Sequence, residues 1–214
     1  MNFSTKRLLF STVLALFLGF VAVSAIHKRY SVTANTLAQI KATGACVSCS
    51  LENFDLQHLD LSGVDLSGAI LTGANLNKTN LYRAKIQGAN LMGADLSGAY
   101  LVKSNLIGSN LAEANLSGAD LSNSNLAHAN LKKTDLSYGY FYQTNLFRTN
   151  LTRSDLTNAN LLASHLAEAN LDLADLSGAN LSHVNIRDAN LKNVVFCQTK
   201  MPDGTVNNTR CPQL

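Results

Sequence analysis

Four cysteines carry the most distinctive side-chain chemistry in this chain, and they lie towards its two ends. Cys46 and Cys49 are separated by two intervening residues, whereas Cys197 and Cys211 lie near the C-terminus. A C-x-x-C pair is typical of thiol redox centres, four thiolates are typical of zinc sites, and paired cysteines in exported proteins form disulfides. Four cysteines allow three pairings. We favour two structural disulfides, Cys46–Cys49 and Cys197–Cys211, and keep a redox role for Cys46 and Cys49 as the alternative.

The other side chains that could support catalysis form no distinct constellation. His58, His128, His165 and His183 are isolated from one another, and Ser and Asp are so frequent that a Ser-His-Asp set could be assembled in many places. No pair of carboxylates stands out as a general acid and a general base. We therefore expect no catalytic residue, no metal site and no cofactor, and we treat a hydrolase as a remote alternative.

A strict five-residue repeat determines where these side chains lie. From Leu51 to Phe196 every fifth residue is large and apolar, which gives thirty consecutive repeats. The residue two places before the large one is nearly always small, the residue directly before it is mostly Asn or Asp, and the two residues after it vary freely. Leu is the large residue in all repeats but four, and the exceptions are Ile86, Phe141, Ile186 and Phe196.

A period of five is incompatible with a long helix or a straight strand. On a helix each Leu would lie roughly 140° from the last, and on a strand successive Leu side chains would point to opposite faces. A short extended piece followed by a turn gives all of them a common interior, because large and small residues two apart in an extended segment point the same way. Self-similarity at a fixed period is the sequence signature of a solenoid.

The repeats carry an A-(D/N)-L-x-x motif, as in Ala74-Asn75-Leu76, Ala94-Asp95-Leu96-Ser97-Gly98, Ala119-Asp120-Leu121 and Ala179-Asn180-Leu181. In this motif the chain resembles the pentapeptide-repeat family over residues 51–196. The resemblance implies an all-β solenoid, a right-handed square β-helix with four repeats per coil and about seven to eight coils. At one layer every ~4.8 Å such a rod is on the order of 36 Å long, so the two cysteine pairs at its ends could not share a zinc ion.

Residues 1–25 differ from the rest of the chain and predict export. Lys6 and Arg7 precede an apolar run over residues 8–25, which is typical of a signal peptide. The run of about eighteen residues is also long enough for a retained membrane anchor, and the basic cluster at residues 27–29 favours that alternative. Both interpretations place the rest of the chain in the periplasm or another extracytoplasmic space.

The remaining segments divide around the repeats. Residues 26–50 are a lead-in, with a short capping helix predicted over Thr36 to Lys41 and ended by Gly44. Residues 51–196 form the β-helix. Residues 197–214 form a C-terminal cap, since a solenoid end exposes apolar interior and open strand edges. The family resemblance also implies cysteine-containing segments at both ends.

One cluster of aromatic residues lies at the variable positions. Tyr138, Tyr140, Tyr142 and Phe147 fall within ten residues, and four repeats per coil would stack Tyr100 in the column of Tyr140, at a corner between faces. Exposed aromatic residues on a rigid face are typical of binding sites, and the alternative is stacking between layers that only stabilises the sheet. We predict a partner-binding patch formed by Tyr100, Tyr138, Tyr140, Tyr142 and Phe147.

Charge bears on which partners this surface could bind. The net charge is +3, and basic and acidic residues are interleaved, which is unlike a nucleic-acid-binding footprint. Some members of the resembled family are acidic rods that imitate DNA and protect type II topoisomerases, and this net basic chain departs from them. We predict a non-catalytic scaffold or protein-interaction module outside the cytoplasm, with protein partners, no nucleic acid, and a possible membrane contact through residues 8–25. The alternatives are a thiol-redox protein and, remotely, a DNA mimic.

Overall fold

The computed structural model describes residues 36–211, which divide into two parts between Thr43 and Gly44. In the first part residues 36–43 are α-helical (α1), and the Thr43 hydroxyl donates a hydrogen bond to the Gln39 carbonyl at 2.8 Å. Gly44 follows with φ of +67°, the left-handed conformation that commonly ends helices. No helix within residues 36–211 is long and apolar enough to cross a bilayer, and the predicted signal peptide or anchor lies outside the described residues.

The second part is a right-handed quadrilateral β-helix, which confirms the predicted fold. Parallel bridges join the residue before each large apolar residue to its equivalent twenty residues on, so one coil is four repeats. The bridges run from Ala45–Asp65 to Asn180–Lys200, which makes nearly eight coils. The ladder therefore starts one repeat before Leu51, and Cys46 occupies the first large position.

Backbone hydrogen bonds account for four of the five N–H groups in the repeats that have a coil on both sides. In the repeat that starts at Leu76, the N–H groups of Leu76, Lys78 and Asn80 donate to carbonyls of the neighbouring coils. The N–H of Thr79 donates across the turn to the Leu76 carbonyl at 3.1 Å. The second turn residue has a positive φ in every repeat from Asn53 to Gln198, which is typical of a type II turn.

The Asn or Asp before the large residue satisfies the fifth N–H group. The N–H of Asn77 donates to Asn75 Oδ1 at 3.1 Å, and the N–H of Ser97 donates to Asp95 Oδ1 at 3.0 Å. The same bond recurs in nearly every repeat that has Asn or Asp at this place, which we call the Asx position. Since a buried or half-buried N–H without a partner is costly, this bond explains the amino-acid preference there.

One Asx column also links the coils through its side chains. Asn110 Nδ2 donates to Asn90 Oδ1 at 3.1 Å, Asn130 to Asn110 at 2.9 Å, and Asn150 to Asn130 at 3.2 Å. Each of these amides thus closes its own turn and bonds to the coil next to it. We call this column the Asn ladder.

The interior is filled by the large and small positions, and most of its few polar groups are paired, with the Ser164 hydroxyl as an exception. Leu side chains at the large position are almost all fully buried between Leu51 and Leu181. Buried hydroxyls at the small position donate to Leu carbonyls, as Thr79 does to Leu56 at 2.8 Å and Ser104 does to Leu101 at 2.6 Å. Each coil thus buries its apolar residues against the next, and most of the buried hydroxyls have a hydrogen-bond partner.

Phe141 is the one aromatic residue in the middle of this interior, and Gly139 makes room for it. Gly139 is also the only glycine at the small position between residues 54 and 199. A Cβ added to Gly139 would lie 2.6 Å from Phe141 Cε2 and 3.0 Å from the Leu136 carbonyl oxygen. The larger ring and the missing methyl group therefore compensate for each other.

The last coil is continued by a short antiparallel pair. Strand β1 (Thr199–Lys200) pairs with strand β2 (Val206–Asn207), and Thr199 faces Asn207. The N–H of Phe196 donates to the Thr209 carbonyl at 2.9 Å. The tail thus folds back on the final repeats.

The compensation between Gly139 and Phe141 predicts a strong coupling. Gly139→Ala should lower the free energy of unfolding by about 1–3 kcal/mol, because the new methyl group overlaps the ring. The double variant Gly139→Ala/Phe141→Leu restores the common combination of Ala at the small position and Leu at the large position. It should be more stable than Gly139→Ala alone. Denaturant unfolding of both single variants and the double variant measures this, and additive losses would contradict it.

The Asn ladder predicts a difference between two Asn→Ala substitutions. Asn130→Ala removes two side-chain bonds to other coils and the bond from the Lys132 N–H. It should cost about 1–3 kcal/mol of unfolding free energy. Asn105→Ala, which removes only the turn bond from the Ile107 N–H, is the matched control and should cost less. Equal shifts of the denaturant midpoint would show that the ladder adds no stability.

Candidate functional site

All five tyrosines within residues 36–211 lie on one side of the coil. Tyr100 and Tyr140 occupy Asx positions in the same column, separated by Asp120. Tyr82 and Tyr142 are first turn residues directly after that column, and Tyr138 is the second turn residue directly before it. We call these five residues the tyrosine face. Tyr100 and Tyr140 thus lie at the centre of a side, and not at a corner as the sequence analysis placed them.

The rings of the tyrosine face are largely open to solvent. Tyr138 is 63% exposed and Tyr140 is 54% exposed, and Tyr100 and Tyr142 are also exposed. Tyr82 is half-buried. Exposed rings grouped on one rigid side are a candidate interaction surface.

Tyr100 and Tyr140 replace residues that would close a turn. Asn or Asp at these positions would accept the N–H of the first turn residue, as Asp120 accepts that of Ser122 at 2.9 Å. A tyrosine side chain offers no such acceptor at this distance from its own backbone. The two rings are therefore placed on the surface at the cost of a local hydrogen bond.

Two rings of this face form an ordered pair. The centroids of Tyr82 and Tyr100 are 6.0 Å apart with planes inclined by 22°, so the rings are stacked. The Arg83 guanidinium lies 5.2 Å from the Tyr82 centroid. Tyr82 was outside the predicted patch, although its offset of sixty residues from Tyr142 equals three coils and signals the shared column.

Phe147 belongs to a different cluster from the tyrosines. It follows the next Asx column and packs edge-on against His128 at 5.7 Å and in a stack with His165 at 5.8 Å. Arg148 lies 4.9 Å from the Phe147 centroid and pairs with Glu168 at 2.7 Å. This half-buried ring makes layer-to-layer contacts, so the predicted patch divides into the tyrosine face and the Phe147 cluster.

The four cysteines form two disulfides. Cys46 bonds to Cys49 with a Cα–Cα distance of 5.4 Å, and Cys197 bonds to Cys211 with a distance of 4.6 Å. Cys46 lies at a large position and is 8% exposed. Within residues 36–211 no three His, Cys, Asp or Glu side chains are arranged to hold a metal ion.

Carboxylates with shifted pKa values serve the turns and the ion pairs. The backbone N–H of Ser62 lowers the pKa of Asp60, the Ser67 hydroxyl lowers the pKa of Asp65, and the Lys133 ammonium lowers the pKa of Glu113 by its hydrogen bond. The Thr205 hydroxyl likewise lowers the pKa of Asp203. All these shifts favour the anion, which suits an acceptor and not a general acid.

Comparisons with known proteins agree with this architecture. The family model of pentapeptide repeats matches the chain in overlapping segments, which are residues 49–88, 60–98, 89–126, 124–161 and 154–193. No curated protein sequence matches the chain.

Solved structures show the same fold. HetL, a pentapeptide repeat protein involved in heterocyst differentiation regulation from the cyanobacterium Nostoc sp. strain PCC 7120, is 30% identical with a TM-score of 0.52. The match covers 76% of this chain and 89% of HetL. A trypsin-treated variant of QnrB1, a plasmid-mediated fluoroquinolone resistance protein, is 20% identical with a TM-score of 0.53 over 77% of this chain and 91% of QnrB1. With thirty repeats in frame, coils of twenty residues and these matches, the chain belongs to the pentapeptide-repeat family.

Proposed function

We propose that the protein is a non-catalytic interaction module outside the cytoplasm, which binds a protein partner through the tyrosine face. The observation that carries this proposal is the placement of all five described tyrosines on one of four sides. Tyr is enriched in protein interfaces because it offers a large rigid area with a polar end. Within residues 36–211 the other sides carry no tyrosine, and their exposed apolar residues, such as Ile70, Met92 and Leu173, are aliphatic.

The β-helix suits such a role because its surface is already ordered. Each tyrosine is attached to a backbone that is hydrogen-bonded to both neighbouring coils, as Tyr100 is to Asn80 and Asp120 through the bridge ladder. Binding then requires the ordering of side chains and not of loops, which lowers the entropic cost of association.

Two observations support a location outside the cytoplasm. Both cysteine pairs are disulfide-bonded, and disulfides persist mainly in oxidising compartments. The sequence of residues 8–25 is typical of an export signal or a membrane anchor. We propose that this segment directs the β-helix out of the cytoplasm, either cleaved or retained.

The alternatives have less support. A redox role needs an accessible attacking thiol, whereas Cys46 is nearly buried at a large position. A DNA mimic needs a strongly acidic surface, whereas this chain has a net charge of +3. The likeness to QnrB1 supports the fold only.

Removal of three exposed rings tests the proposed contact. Tyr138→Ser/Tyr140→Ser/Tyr142→Ser should weaken capture of the partner from the native compartment by at least about thirtyfold, because interface tyrosines are common hot spots of roughly 2 kcal/mol or more. The readout is quantitative affinity capture with the exported protein as bait, together with its thermal unfolding curve.

A matched control exists on the opposite side of the coil. Ile70, Met92 and Leu173 are exposed and occupy the same three positions of their repeats as Tyr140, Tyr142 and Tyr138. The triple Ser variant of these residues should capture the partner as the wild type does. Undiminished capture by the tyrosine variant, or equal losses in both variants, would contradict the proposed surface.

The cysteines provide a test of the compartment. In protein taken from its native compartment and denatured without a reductant, we expect no thiol to react with an alkylating reagent. Loss of the Cys197–Cys211 bond by double Ser substitution should cost about 3 kcal/mol, because that bond closes a far longer loop than Cys46–Cys49 does. Four reactive thiols before reduction would argue for a reducing compartment.

A further inference from the structure

Three basic residues border the stacked Tyr82–Tyr100 pair. Lys78 is the second turn residue at one edge of the tyrosine face, and Arg83 and Lys103 are the second turn residues at the other edge. Four ion pairs form within residues 36–211, and none of them includes Lys78, Arg83 or Lys103. We call these three cations the basic border. Their charges are available to a partner.

Two of these cations are held beside the aromatic pair. Lys78 Cγ would lie 3.3 Å from a Cβ at Gly98, so the lysine stem crosses the coil surface at a glycine that leaves room for it. The Arg83 guanidinium lies against the Tyr82 ring. Aliphatic and guanidinium groups packed in this way lose less freedom when they bind an anion.

Acidic residues limit this basic region along the axis. Asp60, Asn80, Tyr100 and Asp120 follow one another in the central column of the tyrosine face. The region between the two carboxylates spans three coil steps, or roughly 14 Å. The hydrogen bonds of Ser62 lower the pKa of Asp60, so this group is anionic at neutral pH. A long polyanion laid along the face would meet both carboxylates, whereas a short anionic segment would fit between them.

We propose that the Tyr82–Tyr100 pair and its basic border bind a short acidic segment of the partner protein. Carboxylates of that segment pair with Lys78, Arg83 and Lys103, and an apolar or aromatic side chain lies on the two tyrosine rings. This proposal rests on the proposed function and adds the chemistry of the partner. Charge complementarity favours this occupant, because the cations surround the rings on two edges and lack acidic partners of their own.

Synthetic peptides test the proposal without the natural partner. The probe is an acetylated, amidated peptide of three Glu-Ser-Phe triplets, and its control has three Lys-Ser-Phe triplets. NMR titration of the isotope-labelled protein should show binding of the acidic peptide alone, with shifts centred on Tyr82 and Tyr100. The affinity should fall as salt is raised, since the contacts are solvent-exposed ion pairs.

Charge-removing variants locate the site. Lys78→Gln/Arg83→Gln/Lys103→Gln should weaken binding of the acidic peptide by about tenfold, as expected for three exposed ion pairs. Lys132→Gln/Arg153→Gln/Lys192→Gln removes the same charge from a corner of the coil that does not border the tyrosine face, and it should leave the affinity unchanged.

Three results would overturn the proposal. They are equal binding of the two peptides, no binding at millimolar concentration, or tighter binding of a single-stranded oligonucleotide of matched charge. The proposed function fails separately, when the Tyr138/Tyr140/Tyr142 variant still captures the natural partner. If capture depends on those tyrosines but not on the basic border, the proposed function stands and the acidic segment is excluded.

Discussion

The hydrogen bond from the N–H of each large residue between Cys46 and Leu181 to a carbonyl of the next coil is the contact on which this structure depends. It recurs along the ladder at about the same length, as in Leu76 to Asp95 at 2.6 Å and Leu151 to Asn170 at 2.7 Å. To make it in every repeat, the chain must turn every five residues, and each turn needs a left-handed residue. Non-glycine residues in that conformation, such as Lys133 and Tyr138, cost of order 1 kcal/mol each, which the bonds between coils and the buried Leu side chains offset.

This constraint determines which positions can evolve a function. The large and small positions fill the interior, and the Asx position closes the turn, so the two turn residues are the ones whose side chains vary most freely. Tyr100 and Tyr140 are informative because they occupy a constrained position and give up its hydrogen bond. Gly139 and Phe141 show a second kind of exception, in which two unusual residues compensate inside the coil between exposed Tyr138 and Tyr140. Exceptions of the first kind change the surface of the coil, and those of the second kind change the packing of its interior.

The five-residue period was sufficient to predict a solenoid, because neither a long helix nor a straight strand gives thirty large residues a common interior. The family resemblance was needed to predict four repeats per coil. Without that number, the sequence does not show that Tyr82 and Tyr142 share a face. The period could not show that Tyr100 lies at the centre of a side, since that depends on where the turn begins. The period also could not show that Phe147 lies apart from the tyrosines. A turn of the coil separates them, and the position of that turn is known only from the structure. Contacts such as Lys78 with Gly98 depend on side-chain paths over the next coil and leave no pattern in a single sequence.

The residues that cap the ends of the β-helix are distinct from those exposed on its sides. Exposed side chains can therefore be substituted with little loss of stability. A ladder of parallel coils must stop somewhere, and its last coil exposes interior residues and strand edges. Ile186 and Leu191 are accordingly only half-buried, whereas the equivalent residues one coil earlier, Leu166 and Leu171, are 1% exposed. The β1–β2 pair and the Cys197–Cys211 bond lie at that end, far along the chain from the tyrosine face. Since each coil contacts only its neighbours, substitutions of the turn residues Tyr82 or Tyr142 leave the C-terminal cap and most of the ladder unchanged. The residues of the tyrosine face can therefore vary while the hydrogen bonds between coils continue to hold the fold.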